Sequence, residues 1–202
     1  AYRALASEFL KGKPAGGCSP SGVRRDDPND RVPHEHRREL RGLRVFAAWV
    51  NHSDMKEDNT LDMYVEEGGR HFLKHYLLDF GEAFDGHGAS HGNRADGFEH
   101  YWDWGAQAKG TVTFGLWKRS WEDIEPTRWA AIGAFPSRPF DPTSWKEAYP
   151  YWPFHEADAA DSYWAAKLIM RFDEPMLQVI VAEGQLSEPG AAQYLVKTLL
   201  ER

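Results

Sequence analysis

The chain has 202 residues, of which 42% are hydrophobic and 27% charged, enough to bury one sizeable core and too few for two full domains. Its formal net charge of -7 argues against a nucleic-acid or anionic-membrane binder working through a basic surface. A single cysteine, Cys18, excludes an intrachain disulfide and a Cys-rich metal site; no run of about 18 apolar residues suits a membrane span, and no basic-then-apolar leader directs export. The compartment stays open, cytoplasmic or exported, because the sequence starts at Ala1 without an initiator Met and a segment upstream is expected.

Residues 12–33 contain Gly12, Pro14, Gly16, Gly17, Pro20, Gly22, Pro28 and Pro33, a density of breakers that predicts an irregular connection. Within it, Arg24-Arg25-Asp26-Asp27-Pro28-Asn29-Asp30 reads as a turn-rich surface loop. From Pro33 onward, Leu40, Leu43, Phe46 or Ala47, and Val50 recur every three to four residues, which predicts a helix over about 34–50. Arg37, Arg38, Arg41 and Arg44 fall on it as a solvated face that Glu35 and Glu39 can pair with.

Two alternating segments follow, Leu61/Met63/Val65 and Phe72/Tyr76/Leu78, separated by the turn signal Glu66-Glu67-Gly68-Gly69. Together they predict a β-hairpin over 60–78. Residues 82–97, rich in Gly and His, have no hydrophobic period and read as a mobile loop. The aromatic-rich stretch from Tyr101 to Trp164 is expected to be a helical core with irregular Pro-rich connections. Three more helices are expected: one over about 158–172, one from Asp173 to Gly184, and one from Ser187-Glu188-Pro189 to about Leu200.

The chemistry concentrates where the first helix meets the hairpin. Phosphoryl transfer needs a carboxylate to orient the attacking hydroxyl, ligands for the metal that holds the triphosphate, and cations that absorb developing charge. His52-Ser53-Asp54-Met55-Lys56-Glu57-Asp58-Asn59 aligns without gaps to the protein-kinase catalytic-loop pattern of His, Asp two later, Lys two beyond the Asp and Asn five beyond it. Asp79-Phe80-Gly81 matches the metal-binding segment of the same pattern. Both matches in this order arise by chance in roughly one chain in 10⁵, and the helix before and hairpin between are the context the pattern requires.

Beyond these residues, the chain resembles a family of uncharacterised bacterial proteins with a kinase-like fold. The resemblance rests on Arg24 to Asp30, on Arg37-Arg38-Glu39-Leu40-Arg41, on Asn59-Thr60-Leu61-Asp62 and on His75-Tyr76-Leu77-Leu78-Asp79-Phe80-Gly81. It implies an α+β, mainly α fold: a single protein-kinase-like C-terminal lobe over 1–202, with residues 1–33 as an irregular connection and the hairpin between the catalytic loop and the Asp-Phe-Gly segment. The ATP-closing N-lobe would lie upstream. It also implies ATP and Mg²⁺ as cofactors and a hydroxyl-bearing substrate that the sequence does not identify. Asp54 would orient and deprotonate that hydroxyl, Lys56 would balance phosphoryl charge, and Asn59 and Asp79 would hold Mg²⁺ and through it the nucleotide. His52, Phe80 and Gly81 would be structural.

Departures set limits on this reading. Ser53 stands where many protein kinases have Arg, and no Ala-Pro-Glu follows Gly81, so the match is to a phosphotransferase site and not to a protein substrate. Two alternatives follow from other residues. Exposed aromatics in the C-terminal half would suit a non-catalytic, pseudokinase-like binding module. His87 and His91 with Asp85 or Asp96 could make a metal-dependent hydrolase, whereas His71 and His75, about 13 Å apart along a strand, are expected to be surface residues that share no ion.

Overall fold

A computed structural model describes residues 9–86 and 93–202. The described chain is α+β, with a three-stranded antiparallel sheet and six α-helices. Its strands are β1 (Lys13–Pro14), β2 (Thr60–Glu67) and β3 (Arg70–Leu77), in the order β1-β2-β3. The helices are α1 (Arg38–Val50), α2 (Trp104–Val112), α3 (Trp152–His155), α4 (Ala159–Ile169), α5 (Glu174–Glu183) and α6 (Ala191–Glu201).

The expected hairpin is present, with Thr60 opposite Leu77 and Glu67 opposite Arg70. Gly68 and Gly69 both have positive φ, 59° and 73°, the two-residue turn whose twist matches that of the strands. The third strand lies in what the breaker density marks as an irregular connection. Pro14 pairs with Met63 and tolerates this position because an edge strand has no neighbour on its other side to receive an N–H.

Helix α1 starts later than its apolar period suggests. His34–His36 form a 3₁₀ turn, and Arg37 is extended at φ -81°, ψ 123°, so the helix proper begins at Arg38. It ends on Asn51, which adopts the left-handed conformation at φ 54°, ψ 42°, where Asn is one of the few tolerated non-glycine residues. Arg38 stays exposed, but Arg41 and Arg44 of the helix, and Arg37 just before it, are not solvated. Arg41 makes a two-pronged contact with Asp161 of α4 at 2.6 and 3.0 Å, Arg37 bonds Asp30, and Arg44 donates to the carbonyls of Pro142, Thr143 and Trp145. Gly42 faces the ring of Trp164, letting α1 and α4 cross closely.

Helix α1 also joins the two apolar clusters. Ala47 and Ala48 pack with Met55, Trp145, Tyr151 and Phe154. Trp49 and Val50 pack instead against Ile132, Phe135 and the inner faces of α5 and α6. Helices α4 and α5 match expectation closely and start on Asp158 and Asp173, whose carboxylates accept the Asp161 and Met176 N–H groups. The aromatic-rich stretch differs from expectation: between α2 and α3, residues 113–151 contain no helix or strand. Of the loop expected to be mobile, residues 87–92 lie outside the described residues, while Asp85 is buried and its carboxylate accepts from Ala134 N at 2.6 Å.

Candidate functional site

The left-handed turn at Asn51 redirects the chain so that His52, Ser53, Asp54 and Met55 run buried beneath the sheet end. Two anchors fix this segment. Ser53 O accepts from Ala148 N at 2.9 Å, and the Met55 side chain enters the apolar cluster around Trp145 and Tyr151. Asn51 is tied down as well, since its Oδ1 accepts from Trp145 Nε1 at 2.9 Å.

Asp54 is the hub of the loop. One carboxylate oxygen, Oδ2, accepts from Lys56 Nζ at 2.8 Å and from Asn59 Nδ2 at 2.8 Å, and the same Nδ2 also donates to Asp54 O at 2.8 Å. Three of the four residues expected to carry the chemistry are therefore in direct contact. The hydrogen bond to Asp54 raises the Lys56 pKa above its ordinary value, which keeps the ammonium charged. Lys56 Nζ also lies 5.8 Å from the ring of Tyr149, which meets Tyr101 edge-to-face at 4.9 Å.

The fourth residue arrives from β3. Leu78 N donates to Asn59 O at 2.8 Å, extending the hairpin register by one bond and delivering Asp79 beside the loop. Asp79 sits at φ 53°, and its Oδ1 accepts from Gly81 N at 3.2 Å. Its carboxylate is exposed. Phe80 turns back over His52, with ring centroids 5.3 Å apart. Burial lowers the His52 pKa, while the charges of Asp54 and Asp79 both push it upward. His52 Nδ1 is buried without a hydrogen bond to the described residues, in keeping with a packing role.

Donor chemistry at the loop suits a hard cation. Asn59 uses its amide nitrogen on Asp54, which leaves the amide oxygen for a metal, and Asp79 offers an exposed carboxylate; oxygen donors of this kind suit Mg²⁺.

A second polar centre lies at Arg24, Asp62 and His75, and here the structure corrects the sequence reading. Arg24, expected in a surface loop, has a side chain only 11% exposed. It donates to Asp62 Oδ2 at 2.9 Å, to Ala15 O and to Gly17 O. Asp62, on the nominally polar face of β2, is fully buried. His75 is exposed, as expected, yet its Nδ1 lies 2.5 Å from Asp62 Oδ1, and the bond to Asp62 raises its pKa to about 10. Alongside, Asp30 Oδ2 accepts from Arg24 N at 2.7 Å and lies 2.8 Å from His34 Nε2. A cleft of about 760 Å³ opens here, lined by Arg24, Asp26 to Asp30, Tyr64, His71 and His75 among others. None of Asp54, Lys56, Asn59 or Asp79 lines it.

His87 and His91 lie outside the described residues. Among the described residues, no helix is long and apolar enough to cross a membrane. No protein-family model matches the chain, and neither curated proteins nor solved structures give a significant match.

Proposed function

We propose that the chain is the catalytic lobe of a kinase-like phosphotransferase, moving the γ-phosphoryl of ATP to a hydroxyl on its substrate. One observation carries the reading: Lys56 and Asn59 both donate to one carboxylate oxygen of Asp54, and Leu78 N donates to Asn59 O immediately before the Asp79-Phe80-Gly81 turn. Motif spacing alone would not require those contacts. In this reading the Asp54 carboxylate orients the acceptor hydroxyl and takes its proton as the new phosphate ester bond forms and the bond to ADP breaks. Lys56 keeps a positive charge beside the transferred group. Asn59 and Asp79 are the residues that would hold Mg²⁺, which when bound neutralises charge on the phosphate oxygens.

Calorimetry with Mg-ATP on single variants tests the assignment. Asp79→Asn is expected to weaken magnesium-dependent nucleotide binding, because it removes a charged ligand from a hard cation. Asp54→Asn is expected to leave that affinity within error and to lower turnover by roughly 10²–10⁴-fold. Loss of nucleotide affinity in Asp54→Asn equal to that in Asp79→Asn would refute the division of roles.

A second reading, a non-catalytic binding module, draws on the exposed apolar residues of the α2 region. Trp102, Trp104, Phe114 and Leu116 are each more than three-quarters exposed, a patch that suits partner contact. Wild-type protein that binds no nucleotide with or without Mg²⁺ would favour this reading over the first.

A further inference from the structure

We propose that Cys18, Asp62 and His75 form a zinc site, separate from the Asp54 loop and independent of the phosphotransferase reading. The three side chains come from three segments: the connection before α1, strand β2 and strand β3. One ligand atom of each, Cys18 Sγ, a carboxylate oxygen of Asp62 and a ring nitrogen of His75, lies within 4.8 Å of the other two. Cys18 and Asp62 are buried, and His75 is half exposed. The backbone holds the thiol in place, since Cys18 N donates to Thr60 Oγ1 at 2.8 Å and Ala15 N and Asp62 N exchange bonds with Asp62 O and Gly16 O at 2.8 Å.

Ligand chemistry selects the ion. A thiolate, an imidazole and a carboxylate oxygen make a borderline-soft set that zinc prefers, and that magnesium or calcium, which take oxygen donors, does not. Ordinary zinc–ligand lengths at tetrahedral angles put neighbouring donor atoms roughly 3.3–3.6 Å apart. The atoms here bracket that value: the Asp62–His75 bond of 2.5 Å would open by about 1 Å, and the remaining separations are no more than 4.8 Å. Arg24 holds Asp62 Oδ2 at 2.9 Å, so Oδ1 is the coordinating oxygen and Arg24 its orienting partner, an arrangement common around metal-bound carboxylates. Three protein ligands leave the fourth position to water. Because His75 and Arg24 line the 760 Å³ cleft, solvent and small ligands reach the ion from that side.

The test uses the full chain in reduced form, with Co²⁺ as a spectroscopic probe and Zn²⁺ as competitor. One Co²⁺ per chain is expected, with a thiolate-to-cobalt charge-transfer band in the near ultraviolet that Zn²⁺ abolishes. Cys18→Ser is expected to lose the band, and His75→Gln, at a half-exposed side chain, to keep the fold by circular dichroism while binding roughly 100-fold more weakly or worse. A wild-type protein without the charge-transfer band, a band that persists in Cys18→Ser, or wild-type affinity in His75→Gln would each overturn the proposal.

Discussion

At the scale of single residues, Asn51 does two jobs at once. It occupies the left-handed position that ends α1, and its Oδ1 receives the buried Trp145 N–H. Asn51→Ala should therefore cost roughly 2–3 kcal/mol, from the orphaned indole donor together with the strained φ, measured as a shift in the urea midpoint. A loss below about 0.5 kcal/mol would mean that the turn is held by its neighbours. His52 carries a pH signature. Its folded pKa is depressed below 6.5 by burial, so the unfolded chain binds the extra proton and stability is full above about 6.5 and falls as the solution is acidified through that window. Wild type should lose more thermal stability between pH 7.5 and pH 5 than His52→Gln, and parallel losses would show that the imidazole titrates normally. The grouping of Asp54, Lys56 and Asn59, with Asp79 nearby, was readable because these residues follow a local spacing. Asp62 was not: an Asp on an alternating strand looks like a solvent-facing residue until Arg24, 38 positions away, is known to cover it.

At the scale of elements, apolar periodicity located α1, the hairpin and α4, and the capping residues Asp173 and Gly184 located α5. Periodicity gave no sign of β1, two residues around a proline, or of the break at Arg37. The arginine row of α1 misled for a related reason: at the sequence level, a charge that pairs with a buried carboxylate 120 residues distant looks the same as one in water. Packing between α1 and α4 provides a check with a predicted sign. Replacing a mid-helix glycine by alanine ordinarily stabilises a helix by about 1 kcal/mol. A Cβ at Gly42, however, would lie 2.8 Å from the Trp164 ring and 3.3 Å from the Ala165 Cβ, and overpacking of this kind costs about 1–3 kcal/mol. Gly42→Ala is expected to lower the melting temperature, and a rise would show that Trp164 rotates away freely.

At the scale of the whole molecule, the two apolar clusters share α1 as a common wall, so neither can be lost while the other stays fully packed. Leu177, 2% exposed within the α5–α6 cluster, tests this. Leu177→Ala should destabilise by about 2–5 kcal/mol and lower the unfolding midpoint read by near-ultraviolet tryptophan signals and by helical ellipticity equally. Separate midpoints for the two probes would mean that the clusters unfold independently. The stretch from Tyr101 to Trp164, expected as a helical core with irregular Pro-rich connections, is mostly connection, 113–151 being irregular, because aromatic content reports burial and not backbone conformation. Its position is fixed by scattered contacts, such as the Arg44 bonds to three of its carbonyls, which leave no period to read.

The contacts of α1 also set an order of events during synthesis. Trp49 Nε1 donates to Leu199 O across 150 positions, Arg202 donates to Ala48 O across 154, and Arg41 waits for Asp161. While the chain grows from its N-terminus, α1 meets α3 and α4 first and Trp49 meets Phe172, and the covering of Trp49 and Val50 is completed only when α6 has left the ribosome. The segment made early thus matures last. Nascent chains stalled before residue 190 are expected to recruit chaperones through this helix, and pulse-labelled hydrogen exchange during refolding should show α1 and α6 amides gaining protection in the same phase.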